Sequence, residues 1–386
     1  MAEKPHVAVV GAGAFGGWTA LFLLRRGARV TLVDGWGPGN SRSSSGGETR
    51  IIRCTYGPNQ PYTRMTARAV QLWKDHEKKW GCQFLHRTGV LWMATAGDDK
   101  FERASLPLLQ EAGIRYEELP AEEMAGRWPQ INFEGVRWGI YEPDGGFLTA
   151  RVACQVVVEG FVREGGEYRQ AAVVPNRSET SYGEGLTLSD GSKLIADQYV
   201  FACGPWLGKI FPETIGNLIR ATRQDVFFFG TPAGDDRFSE AKLPVWADHR
   251  DRFLYGMPAN DGHGFKIADD TRGPEFDPTS GERNVSAESL KMVREYLAFR
   301  FPGMKDAPLA ETRVCQYENT PDNHFIMDLH PQAENVWIVG GGSGHGFKHG
   351  PALGEMVAAC VMGERTADPL FRLARFEQNK LQGMSS

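Results

Sequence analysis

Gly11-x-Gly13-x-x-Gly16 follows an apolar run, His6 to Val10, and opens a helical pattern that closes at Gly27. In such a run the first glycine permits a tight turn and the second lets the backbone approach a pyrophosphate. The third lets helix and strand pack closely. The anion then meets the free N–H groups and the positive dipole end of the helix. Asp34 lies 18 residues beyond Gly16 and ends a second apolar run, Ala28 to Val33. A carboxylate there can accept hydrogen bonds from ribose hydroxyls, and it would repel a 2′-phosphate, which disfavours NADP. The motif itself leaves NAD and FAD open. Its position near the start of the sequence and the discontinuous nucleotide domain lean towards FAD.

These groups need elements to hold them. A strand over His6–Val10, a helix over Trp18–Arg26 and a strand over Ala28–Val33 make one βαβ unit. The Gly/Ser/Pro-rich stretch Gly35–Gly47 reads as a ligand-binding loop. Helical pattern returns over Pro61–Lys79, Asp98–Ala112, Thr149–Glu164, Ala287–Phe301 and Pro351–Met362, with a strand at Thr88–Met93 and a turn at Glu142–Phe147. Leu186–Ala202 reads as a hairpin turning at Asp190-Gly191, followed by the loop Cys203-Gly204-Pro205-Trp206. From Gln224 to Ala268 short β-prone runs (Val226–Phe229, Arg252–Met257, Phe265–Ile267) predict an antiparallel sheet unlike the α/β start. A buried strand, Val336–Gly340, and a glycine loop precede the last helix. The expected fold is α/β: a nucleotide domain of 1–88, 151–223 and 313–386, with an α+β substrate domain of 89–150 and 224–312 inserted.

At 386 residues two domains are the natural prior, and 41% hydrophobic with 24% charged residues is ordinary globular composition. A formal net charge of −5 gives no electrostatic case for nucleic acid or an anionic membrane, so a small molecule is the expected partner. The six cysteines contain no CxxC pair, which argues against a disulfide scaffold or a cysteine zinc site. Glycines break the apolar stretch Val7–Leu24, which therefore reads as neither leader nor membrane span, and a cytoplasmic location is expected. The histidines do not cluster at metal-ligand spacing, HExxH is absent and no Gly-x-Ser-x-Gly elbow occurs, so no metal and no acyl-transfer chemistry are expected.

Four further segments carry a resemblance: Gly47-Glu48-Thr49-Arg50-Ile51-Ile52-Arg53, Gly264-Phe265-Lys266, Cys315-Gln316-Tyr317-Glu318-Asn319-Thr320-Pro321-Asp322 and Gly344-His345-Gly346-Phe347-Lys348. With the N-terminal motif they run in order through essentially the whole chain, which resembles the monomeric sarcosine oxidase family and its N-methyltryptophan, pipecolate and fructosyl amino acid oxidase relatives. The resemblance implies a Rossmann-type FAD-binding domain beside a substrate domain with a large sheet. It also implies oxidation of secondary amines of amino acids to imines, with FAD reduced and electrons returned to O2 as hydrogen peroxide, in a monomer.

By the same resemblance Cys315 bonds the flavin through its sulfur, the residue-level alternative being an inert buried thiol. Arg53 and Lys348 match the cation pair that holds the substrate carboxylate, a fork and a point charge. Lys266 matches the lysine that promotes reaction with oxygen. Thr49 and Arg50 match residues on the flavin's other face, Tyr255 and Tyr317 are expected at the substrate cavity, and His345 and Gly346 present backbone near the flavin ring. The remaining expected cofactor contacts are Ser44, Cys203, Gly204, Trp206 and Gly344.

The chain departs from the family in three places. Asp270 stands four residues after the lysine, where small-substrate members carry a histidine, and is read as a catalytic or amine-holding carboxylate. Ser44, Ser45 and Gly46 replace histidines common before the Gly-x-Thr-Arg run. Trp246 occupies a region of smaller side chains and is read as reshaping the pocket. These departures count against sarcosine itself as the substrate and against covalent attachment. A flavin dehydrogenase with a quinone or protein acceptor, an NAD-dependent dehydrogenase and a flavin-bearing subunit without turnover are the rival readings.

Overall fold

Residues 6–10 are all buried, and an unbroken apolar run of that length suits a strand covered on both faces. In the computed structural model, which describes residues 4–377 apart from 96, 175–178, 180, 181 and 183, they form β1 (His6–Val10). It is followed by α1 (Ala14–Arg25) and β2 (Arg29–Val33). The helix begins four residues before the expected Trp18, because Gly13 is its N-cap and the glycine turn runs straight into it. β1 pairs in parallel with β2 on one side and with Gln198–Phe201 on the other. The six-stranded sheet is completed by Ala333–Gly340 and its antiparallel neighbour Ile326–His330 on one flank and Glu167–Arg169 on the other.

One expectation is corrected here. Leu186–Ala202 is not one hairpin: Leu186–Leu188 and Lys193–Leu194 form it, whereas Gln198–Phe201 leaves to join the central sheet beside β1. Its run Tyr-Val-Phe is buried, which a parallel central strand requires and a surface hairpin does not.

The helix α1 packs against β1, β2 and the helices Ala150–Arg163 and Gly350–Val361. Trp18, 1% exposed, meets Trp73 edge-on with ring centroids 5.1 Å apart. A side chain at Gly354 would sit 2.7 Å from Trp18, so a residue with no Cβ is what lets the last helix close on α1.

The second sheet has eight strands, in the order Leu309–Asn319, Arg220–Phe229, Phe265–Asp269, Phe253–Met257, Val245–His249, Val90–Thr95, Val136–Glu142, Glu117–Pro120. All pairings are antiparallel except that of Val245–His249 with Val90–Thr95. The helix Ala287–Arg300 covers one face through Val293, Leu297 and the aromatic cluster around Phe265 and Phe301. Arg220–Phe229 and Leu309–Asn319 run across the boundaries drawn at 223 and 313, and both are whole strands of this sheet. A small third sheet pairs Thr49–Ile52 with Gly146–Thr149, and Gly146–Thr149 with Leu85–His86, tying the segment after the Gly/Ser-rich loop to the strand that follows Val136–Glu142.

Gly16 is the tightest point of the turn, since a Cβ there would lie 1.8 Å from the Gly11 carbonyl oxygen. Gly16→Ala is therefore expected to lower stability by roughly 1–3 kcal/mol, read from the urea midpoint. A variant as stable as the parent would contradict this packing.

Candidate active site

A cavity of about 400 Å3 opens where β1 meets α1. Its wall includes Gly11, Gly13, Asp34, Ser44, Arg50, Cys203, Gly204, Trp206, Gly344 and Gly346, which draws expected cofactor contacts from six separated stretches into one place, together with Tyr317, expected at the substrate cavity. Asp34 accepts N–H bonds from Ala12 (2.7 Å), Trp36 (2.8 Å) and Gly37 (2.8 Å), and its burial raises its carboxyl above the usual range. The acid thus locks the turn as well as facing the cavity. Gly344 has φ +81°, and a Cβ there would press on the Tyr317 ring at 2.6 Å, so the loop before the last helix approaches the strand as only glycine can.

Two buried polar atoms of this wall lack a partner among the described residues, Ser44 Oγ and Glu318 Oε2. Unsatisfied polar atoms facing a cavity are what a polar occupant would fill. Burial lifts Glu318 to about 7, so it can present a proton rather than a charge. That suits a site for an anionic dinucleotide. Glu318 stood inside a quoted motif but carried no signal of its own, because its role follows from the glycine loop folding over it.

Arg50 lines this cavity and a second one of about 230 Å3, whose wall also holds Lys266, Cys315, Glu48 and Arg313. Its guanidinium donates to the Thr49 carbonyl (2.9 Å), the Ser44 carbonyl (2.8 Å) and Cys315 Sγ (3.1 Å). Lys266 is 2% exposed and donates to the Thr49 carbonyl at 2.9 Å. Burial, with Arg50 nearby, lowers its ammonium to about 7. Thr49 thus receives Lys266 on its carbonyl and, at 3.3 Å, on its hydroxyl, and Cys315 and Lys266 share one side of Arg50.

A third cluster stands beyond Tyr317. Arg53 is stacked between the rings of Tyr56 and Trp92, each 4.5 Å from its guanidinium carbon, and donates to the Thr55 carbonyl. Lys348 Nζ donates to Tyr56 Oη (2.8 Å) and to the His345 carbonyl (3.0 Å), so His345 serves by its backbone. Tyr56 Oη also meets His349 Nε2 at 2.7 Å. Burial and the neighbouring Arg53 hold the Lys348 ammonium well below its ordinary value. Among the described residues neither Arg53 nor Lys348 makes an ion pair within 4.0 Å. Tyr317 lines the large cavity and donates to Asp270 Oδ1 at 2.7 Å. Burial raises Asp270 to about 6, against the pull of Tyr317, Arg53 and Lys348. Tyr255 neighbours this group, and burial with Asp270 nearby lifts its hydroxyl to about 12.

Trp246 is not part of this cluster. It pairs with Gly256 while its neighbour Ala247 pairs with Tyr255, and strand alternation sends the two side chains to opposite faces. The indole packs on Phe301 (5.0 Å), Tyr296 (5.6 Å) and Phe265 (6.2 Å), the pocket expectation failing because the sheet face could not be read from one strand. Tyr56, Trp92, Glu142, Glu318 and His349 are site neighbours that sequence reading passed over, each an ordinary aromatic, acid or histidine until the fold assembled it.

A family profile described as FAD dependent oxidoreductase matches residues 6–360. The chain belongs to that family. Members of the FAD dependent oxidoreductase family similar to it include the monomeric sarcosine oxidase of Bacillus sp. (strain B-0618), 30% identical over 376 residues, 95% of this chain and 94% of that one. The N-methyl-L-tryptophan oxidase of Salmonella enteritidis PT4 is 28% identical over 387 residues, 97% of this chain and 100% of that one. Among solved structures, the L-proline dehydrogenase from P. horikoshii superposes with a TM-score of 0.83 at 22% identity, covering 98% of this chain and 99% of that one. A fructosyl peptide oxidase from E. terrenum gives 0.80 at 22% identity, covering 96% and 92%. The flavoenzyme fold is thereby established, and the family indicates FAD as the cofactor. Among the described residues no helix is long and apolar enough to cross a membrane.

The Tyr317 hydroxyl favours the ionised form of Asp270, so Tyr317→Phe is expected to raise the Asp270 pKa above about 6. An infrared pH titration of its carboxyl band reads this. A shift to lower pH would contradict the hydrogen bond.

Proposed function

We propose that this flavoenzyme oxidises a small secondary-amine amino acid, an N-methyl or cyclic imino acid, with O2 as electron acceptor and hydrogen peroxide as product. The observation that carries the reading is the pair Arg53 and Lys348, held together through Tyr56 with no carboxylate partner among the described residues, next to a tyrosine that lines the large cavity. Cations removed from water require an anion. The α-carboxylate of an amino acid supplies one, the guanidinium fork and the ammonium dividing its two oxygens.

Docking the carboxylate there fixes the substrate carbon relative to the cavity, and positioning is the first contribution of these residues. The amine must be neutral before its α-hydrogen leaves with an electron pair, and its nitrogen then becomes cationic. Asp270, hydrogen-bonded by Tyr317, accepts the ammonium proton and leaves the amine neutral for the step that follows. FAD, when bound, supplies the electron-pair acceptor and passes the electrons on to O2. Lys266 provides a fixed positive charge for the reduced oxygen species on the far side of Arg50. Cys315, 3.1 Å from Arg50 on that same side, is the residue proposed to tether the flavin by a thioether. A monomer in the cytoplasm completes the proposal.

The experiment is an absorbance spectrum of the purified protein, repeated after acid precipitation and with candidate amino acids. A band at about 450 nm that bleaches with an N-methyl or cyclic imino acid is the expected result. A yellow pellet locates the flavin on the protein covalently, and a yellow supernatant removes that role from Cys315. Flavin that no secondary-amine amino acid bleaches would sink the reading.

Lys266→Met is expected to slow reoxidation by O2 about 100-fold or more while leaving reduction by the amine nearly intact. In the parent the cationic form of Lys266 is full below about 7 and is lost as pH rises through that value, so reoxidation should slow on the alkaline side. Stopped-flow oxidation of the reduced enzyme distinguishes this from an enzyme that uses another acceptor.

A further inference from the structure

We infer that Glu142 is the positioning residue that sets both cations of the carboxylate site, acting through the two residues that follow Arg53. The inference rests on the assignment of Arg53 and Lys348 to a carboxylate.

Glu142 ends the strand Val136–Glu142 and is 3% exposed. Its carboxylate accepts three hydrogen bonds from one short stretch: Cys54 N–H at 2.7 Å, Thr55 N–H at 2.9 Å and Thr55 Oγ1 at 2.6 Å. A buried carboxylate met by three donors from adjacent residues fixes that stretch in both position and orientation. The consequence passes to both cations. The Thr55 carbonyl, turned by this clamp, accepts from the Arg53 guanidinium. Tyr56, the next residue, stacks on the same guanidinium and receives Lys348 Nζ at 2.8 Å. The other ring on Arg53 is Trp92, which belongs to the strand paired directly with Glu142, through the register Val90 to Glu142.

One strand pair of the substrate sheet therefore supplies both the clamp and one face of the sandwich. Arg53 itself comes from the segment after Thr49–Ile52, on the flavin side. Glu142 is the carboxylate that makes the two halves agree on where the substrate anion sits. Its negative charge also favours the cationic form of Lys348. Glu142 touches neither the FAD cavity wall nor the Tyr317–Asp270 pair, so its loss should act on ground-state binding and leave the chemical step in place.

The test uses the FAD-loaded enzyme with Glu142→Gln and the milder Thr55→Val, which removes only the hydroxyl donor. Two quantities are read: KM and kcat for whichever amino acid bleaches the parent, and the Kd of tetrahydrofuran-2-carboxylate, an acid with no oxidisable amine, from the flavin spectrum. Glu142→Gln is expected to raise KM and Kd together by about 10- to 100-fold with kcat within about threefold, and Thr55→Val to raise both by a smaller factor. Unchanged Kd in both variants, or a fall in kcat as large as the rise in KM, would overturn the inference. If Glu142→Gln fails to fold, an unchanged Kd in Thr55→Val alone overturns it. A parent enzyme that binds no carboxylate would instead overturn the role given to Arg53 and Lys348.

Discussion

An ammonium and a guanidinium held away from water each cost several kcal/mol unless something answers their charge and their donors. Lys348, 5% exposed, imposes that cost on this fold in full, and Arg53, half-buried and stacked between two rings, in part. The surrounding structure reads as the answer. Carbonyls of Thr55 and His345 and the Tyr56 hydroxyl take some of the donors, and Asp270 and Glu142 lend negative charge at a distance. None of these is a direct ion pair, which leaves donor capacity for the carboxylate proposed to bind there. The site is stable enough to form and incomplete enough to bind.

The two sheets divide the work by their strand patterns. The parallel sheet places the glycine turn and Asp34 at the carboxyl ends of β1 and β2, the usual crevice of an open α/β sheet. The eight-stranded sheet contributes long antiparallel strands whose alternation assigns faces. In the strand Leu309–Asn319, Cys315 and Tyr317 line the two cavities, while Gln316 between them accepts from Arg283 at 2.9 Å. Arg50 is the partition: one guanidinium borders both cavities and contacts Cys315. Its place would let the proposed carboxylate site and the proposed oxygen-facing lysine serve one cofactor without sharing a pocket.

Buried ionisable groups here are shifted in opposite senses according to their charge type. Burial lowers Lys266 to about 7 and raises Asp270 to about 6 and Glu318 to about 7. Each therefore titrates near neutrality, where a small change in its partner alters its protonation. A hydrogen bond from Tyr317 holds Asp270 towards its charged form, whereas burial pushes Glu318 towards its neutral one against the backbone N–H groups of Gly342 and Gly341.

The sequence alone determined what depends on short-range chemistry. Gly11, Gly13 and Gly16 with Asp34 announce a dinucleotide turn, because only glycine tolerates a backbone this close to another. Apolar periodicity placed the helices within a few residues, since burial of one face is written in every turn. The ordered motifs around Arg53, Lys266, Cys315 and Lys348 carried a family resemblance that the FAD dependent oxidoreductase profile bears out. Tertiary structure alone decided which side chains meet. Trp246 and Tyr255 lie on neighbouring strands and face opposite ways, a choice made by which face the helix Ala287–Arg300 covers. Gln198–Phe201 became a central parallel strand because β1 offered it an edge. Glu142 is 88 residues from the amide it clamps at Cys54, and no local signal distinguishes it from any other acid at a strand end. Sheet register brings such residues together, and register is fixed by pairing and packing across the whole chain rather than by neighbours in sequence.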